Sequence, residues 1–292
     1  MSDPAALRGG AEALAAPLPP LLVEAQRLAA TVIMGEHGRR RPGHGTGFWQ
    51  YRAALPGDPA RTIDWRRSAK SDATFVQEKE WQAAQTLLIH ADGSAAMRFA
   101  SSPAYPAKGE RAALLTLALA VLAAQGGERV GLLPAHHPPR RGTAHLVQMA
   151  RDLAAADEAD FGTLDAGDLP PHGRAVFLSD FMGDLAALEA ALALAAAREV
   201  RGALVQVLDP AEETFPFTGR TIFESMTRRL RHETLDAGEL RSRYLARLAE
   251  RKARLGELAQ AAGWQVVTHH TDTPAAPALL WLWGALSMRE VA

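Results

Sequence analysis

From residue 86 onward, short apolar runs alternate with longer stretches that repeat at helical spacing, and no other feature of the chain restricts its fold as much. The runs are TLLIHAD (86–92), RVGLLPA (129–135), AVFLSD (175–180), GALVQVLD (202–209) and WQVVTHH (264–270). They are brief and mostly lack polar alternation, as strands buried on both faces do. Helical patterns fall between and after them at 108–125, 144–155, 184–197, 237–262 and 277–288. Strands separated by helices of this length need crossover connections, and crossovers join parallel strands. The spacing therefore predicts an α/β domain over 85–292 with a doubly wound, mainly parallel sheet covered on both faces. Such sheets take ligands outside the carboxyl ends of their strands, so the residues just after each run carry the functional reading.

Two of those ends are acidic. The first run closes on Asp92-Gly93-Ser94-Ala95-Ala96 and the third on Ser179-Asp180. A hard divalent cation such as Mg²⁺ accepts one or two carboxylates together with hydroxyls and water. Asp92, Ser94 and Asp180 offer such a set, with Thr143 as a candidate hydroxyl from another loop and also as the N-cap of a helix beginning at Ala144. The plainer reading is that Asp92 and Asp180 cap turns at strand ends.

The amino-terminal part is organised differently. Pro17, Pro19 and Pro20 break a leucine-rich lead-in, and a helix is expected from about Leu21, so 1–34 reads as a lead-in with one helix. GEHGRRRPGHGTG at 35–47 is too rich in glycine for a regular element. Turn signals between aromatic and β-branched segments then predict a small β-containing module over 35–84. Within it, Asp58 reads as a turn residue of Pro56-Gly57-Asp58, and Asp64 as a partner for a nearby arginine that orients Trp65. Arg39-Arg40-Arg41 beside Phe48, Trp49 and Tyr51 reads as a protein-partner surface or docking loop rather than a nucleic-acid site.

These segments resemble known families. Asp-x-Ser after a first strand, a threonine in a second loop and an aspartate after a later strand resemble the metal-ion-dependent adhesion site of von Willebrand factor A domains. Ala96 departs from that pattern, since the resemblance implies a second serine there, and its loss removes a hydroxyl ligand from any Mg²⁺ or similar cation. The stretch from His37 to Arg52, the Pro56-Gly57-Asp58 turn and Ile63-Asp64-Trp65-Arg66-Arg67-Ser68-Ala69-Lys70 resemble the hallmark of the DUF58 family. FLSDF at 177–181 and LDPAEETFPFTGRTIFE at 208–224 extend the likeness. It implies a von Willebrand A-like domain behind a small β module, with Arg39, Arg40, Arg52, Asp58, Asp64, Trp65 and Arg66 as its signature. It also implies work beside a MoxR-type AAA+ ATPase in the maturation or assembly of client proteins.

Composition restricts the remaining function classes. Lys and Arg total 32 against 33 Asp and Glu, leaving no global charge to draw nucleic acid. The chain has no cysteine, hence no disulfide and no thiolate chemistry, which suits a reducing compartment. It opens without a basic and apolar leader, and the Ala/Leu stretches at 112–124 and 183–197 are too short or too charged to span a bilayer. A cytoplasmic protein without a membrane span is expected. No nucleophile elbow surrounds Ser94, GHGTG lacks the lysine of a phosphate loop, and neither histidine pair has zinc spacing. The leading expectation is a non-enzymatic binding or adaptor protein that uses the face around Asp92, Ser94, Thr143 and Asp180. The alternative is a metal-dependent hydrolase built on Asp92 and Asp180. Alternation in FPFTGRTIFE further predicts a hairpin turning at Thr218-Gly219 and appended to the sheet edge.

Overall fold

The computed structural model describes residues 20–36, 48–54, 63, 65–69, 74–79, 85–154 and 159–287. They fall into two compact units, one of residues 38–85 and one in which residues up to 37 join those from 86 onward.

In the smaller unit, β1 (Phe48–Ala53) and β2 (Phe75–Lys79) pair antiparallel, with a register irregularity between Phe48 and Gln50. A single helical turn, α2 (Trp65–Ser68), lies between them in sequence, and the Ser68 hydroxyl accepts the Phe75 amide at 2.9 Å. Trp65 is 63% exposed. Arg52 and Arg66 lie within β1 and α2, whereas Arg39, Arg40, Asp58 and Asp64 fall outside the described residues.

The larger unit holds the parallel sheet. Its strands are β3 (Thr86–Ala91), β4 (Arg129–Leu132), β5 (Arg174–Ser179), β6 (Arg201–Leu208) and β9 (Gln265–His270). Their order is β4-β3-β5-β6-β9, and every neighbouring pair is parallel. Successive residues serve opposite faces, as strand geometry requires. Val176 and Leu178 join Leu87, Ile89 and Val205 on one face, against α1 (Pro20–Glu36), α3 (Lys108–Gln125) and α8 (Ala275–Ser287). Ala175 and Phe177 join Leu88 and Leu204 on the other, against α5 (Ala186–Ala197) and α7 (Gly238–Ala261). The doubly wound fold read from the sequence is thus present, with each of the five strands within a residue or so of its expected start. Among the described residues, no helix is long and apolar enough to cross a membrane.

Three features differ from the sequence expectation. Helix α1 is not part of a separate lead-in: Leu22, Ala25, Ala29 and Val32 are buried in the core beneath α3. The hairpin turns later than Thr218-Gly219. Its strands are β7 (Thr221–Glu224) and β8 (Arg231–Thr234), and they form a two-stranded sheet of their own instead of extending the main one. Ser225 sets the turn, its hydroxyl accepting the Leu230 amide at 3.1 Å and its carbonyl accepting the Arg228 amide at 2.8 Å.

The third difference is the path from β4 to β5. Val130 and Arg140 form an antiparallel bridge, so the chain after β4 doubles back beside it toward the strand's amino end. There α4 (Thr143–Leu153) begins, with Gly142 as N-cap at φ 97° and Thr143 as its exposed first residue. Ala159 and Asp160 lie at the opposite end, where their carbonyls accept the Ala95 and Ala96 amides at 2.8 and 2.9 Å.

Candidate functional site

Strands β3 and β5 are neighbours, and the connections leaving them run to opposite sides: β3 leads to β4 on one flank and β5 to β6 on the other. That reversal opens a crevice at their carboxyl ends, where doubly wound sheets place ligands. Asp92 and Asp180 are the residues that immediately follow those two strands.

Each carboxylate is already engaged by the chain. Asp92 Oδ1 accepts the Ser94 amide at 2.8 Å, and its Oδ2 accepts the Ser179 hydroxyl at 2.6 Å. Asp180 Oδ1 accepts the Met182 amide at 2.9 Å, and its Oδ2 accepts the Lys108 ammonium at 2.7 Å. The same ammonium donates to Glu212 Oε1 at 2.6 Å. Glu212 is fixed in turn by a capping box on the short helix α6 (Pro210–Thr214), where its Oε2 accepts the Asp209 amide at 2.9 Å. Asp92, Ser94, Lys108 and Asp180 are all buried, and Lys108 is only 1% exposed.

The electrostatics follow from that burial. Desolvation pushes the Lys108 ammonium toward losing its proton, but Asp180 and Glu212 outweigh it and the net shift is upward. Burial pushes Glu212 up, and Lys108 offsets this only in part. Burial pushes the pKa of His90, behind Asp92, downward, and its Nδ1 lies 3.2 Å from the Leu133 carbonyl. Tyr244 also belongs to this environment, its phenol pushed upward by burial and by Glu212, Glu213 and Asp180.

The crevice is roofed by backbone. A Cβ on Gly162 would lie 2.3 to 2.4 Å from all three atoms of the Asp92 carboxyl group, so this glycine sits directly over it. The cavity left beneath, lined by His90, Asp92, Ser179 and Asp180, is about 30 Å³. That is room for a water molecule, far below the roughly 300 Å³ of a small ligand site. The roof is pinned from outside as well, because the Thr227 hydroxyl in the β7–β8 turn donates to the Asp160 carboxylate.

Of the residues singled out from the sequence, the structure brings Asp92, Ser94 and Asp180 to one strand-end crevice and leaves Thr143 at the other end of β4. Thr143 is also not the N-cap, which is Gly142. Sequence reasoning missed Lys108 and Glu212, 104 positions apart. One signal pointed to the lysine: it opens a helix whose next turns are almost wholly apolar, at the end where the helix dipole disfavours a cation. Such a residue needs carboxylates from elsewhere. Among the described residues, no group of three or more His, Asp or Glu side chains is placed to hold a metal ion.

Outside the crevice, the hairpin leaves Ile222, Met226, Leu230 and Leu235 exposed, Leu230 at 57% and Leu235 at 82%. Its base is an aromatic cluster in which Phe215 stacks on Phe223 at 5.7 Å and lies 4.8 Å from Tyr244. Beside that cluster, Pro216, Phe217 and Arg241 line an open hollow of about 360 Å³.

Comparison with known proteins adds a family. The family described as "Protein of unknown function DUF58" matches residues 50–254. The uncharacterized proteins Rv1480 of Mycobacterium tuberculosis and Mb1516 of Mycobacterium bovis are each 27% identical over 286 residues, covering 92% of this chain and 89% of the relative. Among solved structures, an aerotolerance-related membrane protein from Bacteroides fragilis with multiple mutations to serines superposes with a TM-score of 0.44 at 13% identity, over 70% of this chain and 98% of its own. BatB from Bacteroides thetaiotaomicron gives 0.40 at 11% identity, over 69% and 98%.

Proposed function

We propose that this chain, which belongs to the DUF58 family, is a non-enzymatic protein-binding adaptor with a von Willebrand A-like domain. In this reading it works in the cytoplasm with a MoxR-type AAA+ ATPase in the maturation or assembly of client proteins. The observation that carries the reading is the exposed apolar row on the β7–β8 hairpin, Ile222, Met226 and Leu230, interleaved with Arg228 and Arg229. Methionine and arginine are enriched at protein interfaces, and a protruding apolar turn with cations beside it suits a partner surface of mixed apolar and acidic character.

The hairpin is continuous with the strand end. Thr227 holds Asp160, Asp160 precedes the partly exposed Phe161, and Gly162 covers Asp92. The strand-end carboxylates themselves are buried, so in this reading they shape the binding surface from beneath and the partner meets the hairpin tip and Phe161. The small volume of the crevice supports a surface that binds over one that turns over a small molecule.

A pull-down between the tagged full chain and a purified MoxR-type ATPase from the same organism tests this. Capture by the parent chain, reduced at least roughly tenfold by Met226→Asp with Leu230→Asp, is the expected result, since central interface residues carry most of the binding energy. No capture by the parent chain, or equal capture by the double variant, would count against the adaptor. Phosphoesterase or peptidase turnover that Asp180→Asn abolishes would replace it with the hydrolase reading.

A further inference from the structure

We infer that the Lys108 ammonium takes the place, at the carboxyl ends of β3 and β5, of the divalent cation that the likeness to metal-ion-dependent adhesion sites implies, so that this face is neutralised from within and takes no metal. Mg²⁺ requires six oxygens in near-octahedral array at about 2.0–2.1 Å, and a site of this kind draws them from two carboxylates, hydroxyls and water. Asp180 Oδ2 is held by the Lys108 ammonium at 2.7 Å and its Oδ1 by the Met182 amide. Asp92 Oδ2 is held by the Ser179 hydroxyl and its Oδ1 by the Ser94 amide. Position 96 has no hydroxyl, and Thr143 begins α4 at the far end of β4. The Ser94 hydroxyl, buried and without a partner among the described residues, is the one hydroxyl of the expected set that lies at this strand end.

Charge and access lead to the same assignment. A dication bonded to Asp180 would share that carboxylate with an ammonium, two like charges within a few ångströms in a poorly solvated site. Lys108 cannot leave to make room, because it is buried at the first position of α3, with its amide donating to the Phe99 carbonyl at 3.3 Å and its ammonium 5.8 Å from the Phe99 ring. Its second partner, Glu212, comes from α6 beyond β6, so the ammonium ties the ends of β5 and β6 to the start of α3. Binding strand-end loops together around a shared charge is what a cation would otherwise do there.

The inference rests on the strand-end reading above but is tested without any partner, so its failure and the adaptor's failure are distinguishable. The full chain, stripped with chelator, is titrated with Mn²⁺ and with Mg²⁺ by calorimetry and by thermal shift, beside Lys108→Met. The parent chain is expected to give no saturable heat and no change in Tm. Lys108→Met is expected to melt roughly 10 °C lower, as a buried pair broken on one side does in a domain of this size. Millimolar Mn²⁺ should then raise the Tm of Lys108→Met by several degrees. Stoichiometric Mn²⁺ binding by the parent chain that Asp180→Asn abolishes overturns the inference, as does a folded Lys108→Met protein whose Tm ignores Mn²⁺. Should Lys108→Met fail to fold, the parent titration decides alone.

Discussion

Gly162 and Lys108 divide the strand end between them, one covering Asp92 from above and the other holding Asp180 from the side. A methyl at residue 162 has nowhere to go, because the atoms it would meet belong to a carboxylate fixed by two hydrogen bonds. Gly162→Ala should therefore destabilise the fold by about 1–3 kcal/mol, the usual cost of overpacking, even though alanine suits most backbone conformations. Urea unfolding of parent and variant checks this, and an unchanged midpoint would mean that residues 159–162 do not lie over Asp92. At this scale the sequence was informative about which acids matter and silent about what neutralises them. Asp92 and Asp180 end apolar runs and so declare their place. Lys108 and Glu212 meet only because α6 follows β6 and α3 follows β3 in a sheet whose strand order no local pattern encodes. Thr143 misled for a related reason. Its type and position before a helical pattern suit an N-cap at a strand end, but the Val130–Arg140 bridge carries that helix start to the opposite end of the sheet.

The parallel strands were the most legible elements, because a strand buried on both faces must be apolar throughout and is bounded by polar residues where it leaves the core. The hairpin was not. Alternation across FPFTGRTIFE matches a strand pair, yet Phe215 and Phe217 belong to the approach, where Phe215 lies at φ 45° and packs against Phe223 and Tyr244. Gly219, at φ 66°, marks the bend into β7, and its carbonyl accepts the Ala237 amide at 2.8 Å as the chain leaves β8. The aromatic cluster is thus the root that holds the hairpin to the unit. Phe223→Ala removes the stack on Phe215 and the edge contact with Phe217, and a half-buried ring in such pairs contributes about 1–3 kcal/mol. The expected consequence is local: trypsin cuts faster after Arg228 and Arg229 in the turn, while the Tm changes by only a few degrees. Unchanged cleavage kinetics at those arginines would show that the hairpin is held by its own turn and not by its base.

For the molecule as a whole, the same burial that keeps the carboxylate crevice together leaves two histidines that cannot accept a proton without cost. His269, on the edge strand β9, has its Nε2 3.2 Å from Arg111 Nη1. A guanidinium can only donate, so that nitrogen carries no proton and the ring is neutral. Burial, and then the charge of Arg111 and of nearby His270, push its pKa from 6.5 down to about 4, against a weaker upward pull from Asp272. Burial also pushes His90 down, opposed by Asp92 and the Leu133 carbonyl. A group whose folded pKa is depressed contributes stability above its unfolded pKa and loses it as pH falls toward the folded value, so His269 loses its contribution between about pH 6.5 and 4, up to roughly 3 kcal/mol. Glu213 is pulled down by Lys252 and His270 despite burial, and its contribution is lost only below its unfolded value of 4.5. Glu212 works the other way, since burial raises its pKa and the folded state gains from its protonation as pH falls. Among these groups that lose stability as pH falls, the histidine window opens first. Tm should therefore fall as the buffer is taken from pH 7 to pH 5, before carboxylate protonation dominates. His269→Gln, which keeps an acceptor for Arg111 but cannot titrate, should flatten that slope. A parent Tm constant from pH 7 to pH 5, or an equal slope in the variant, would mean that β9 admits the proton without loosening its hold on Arg111.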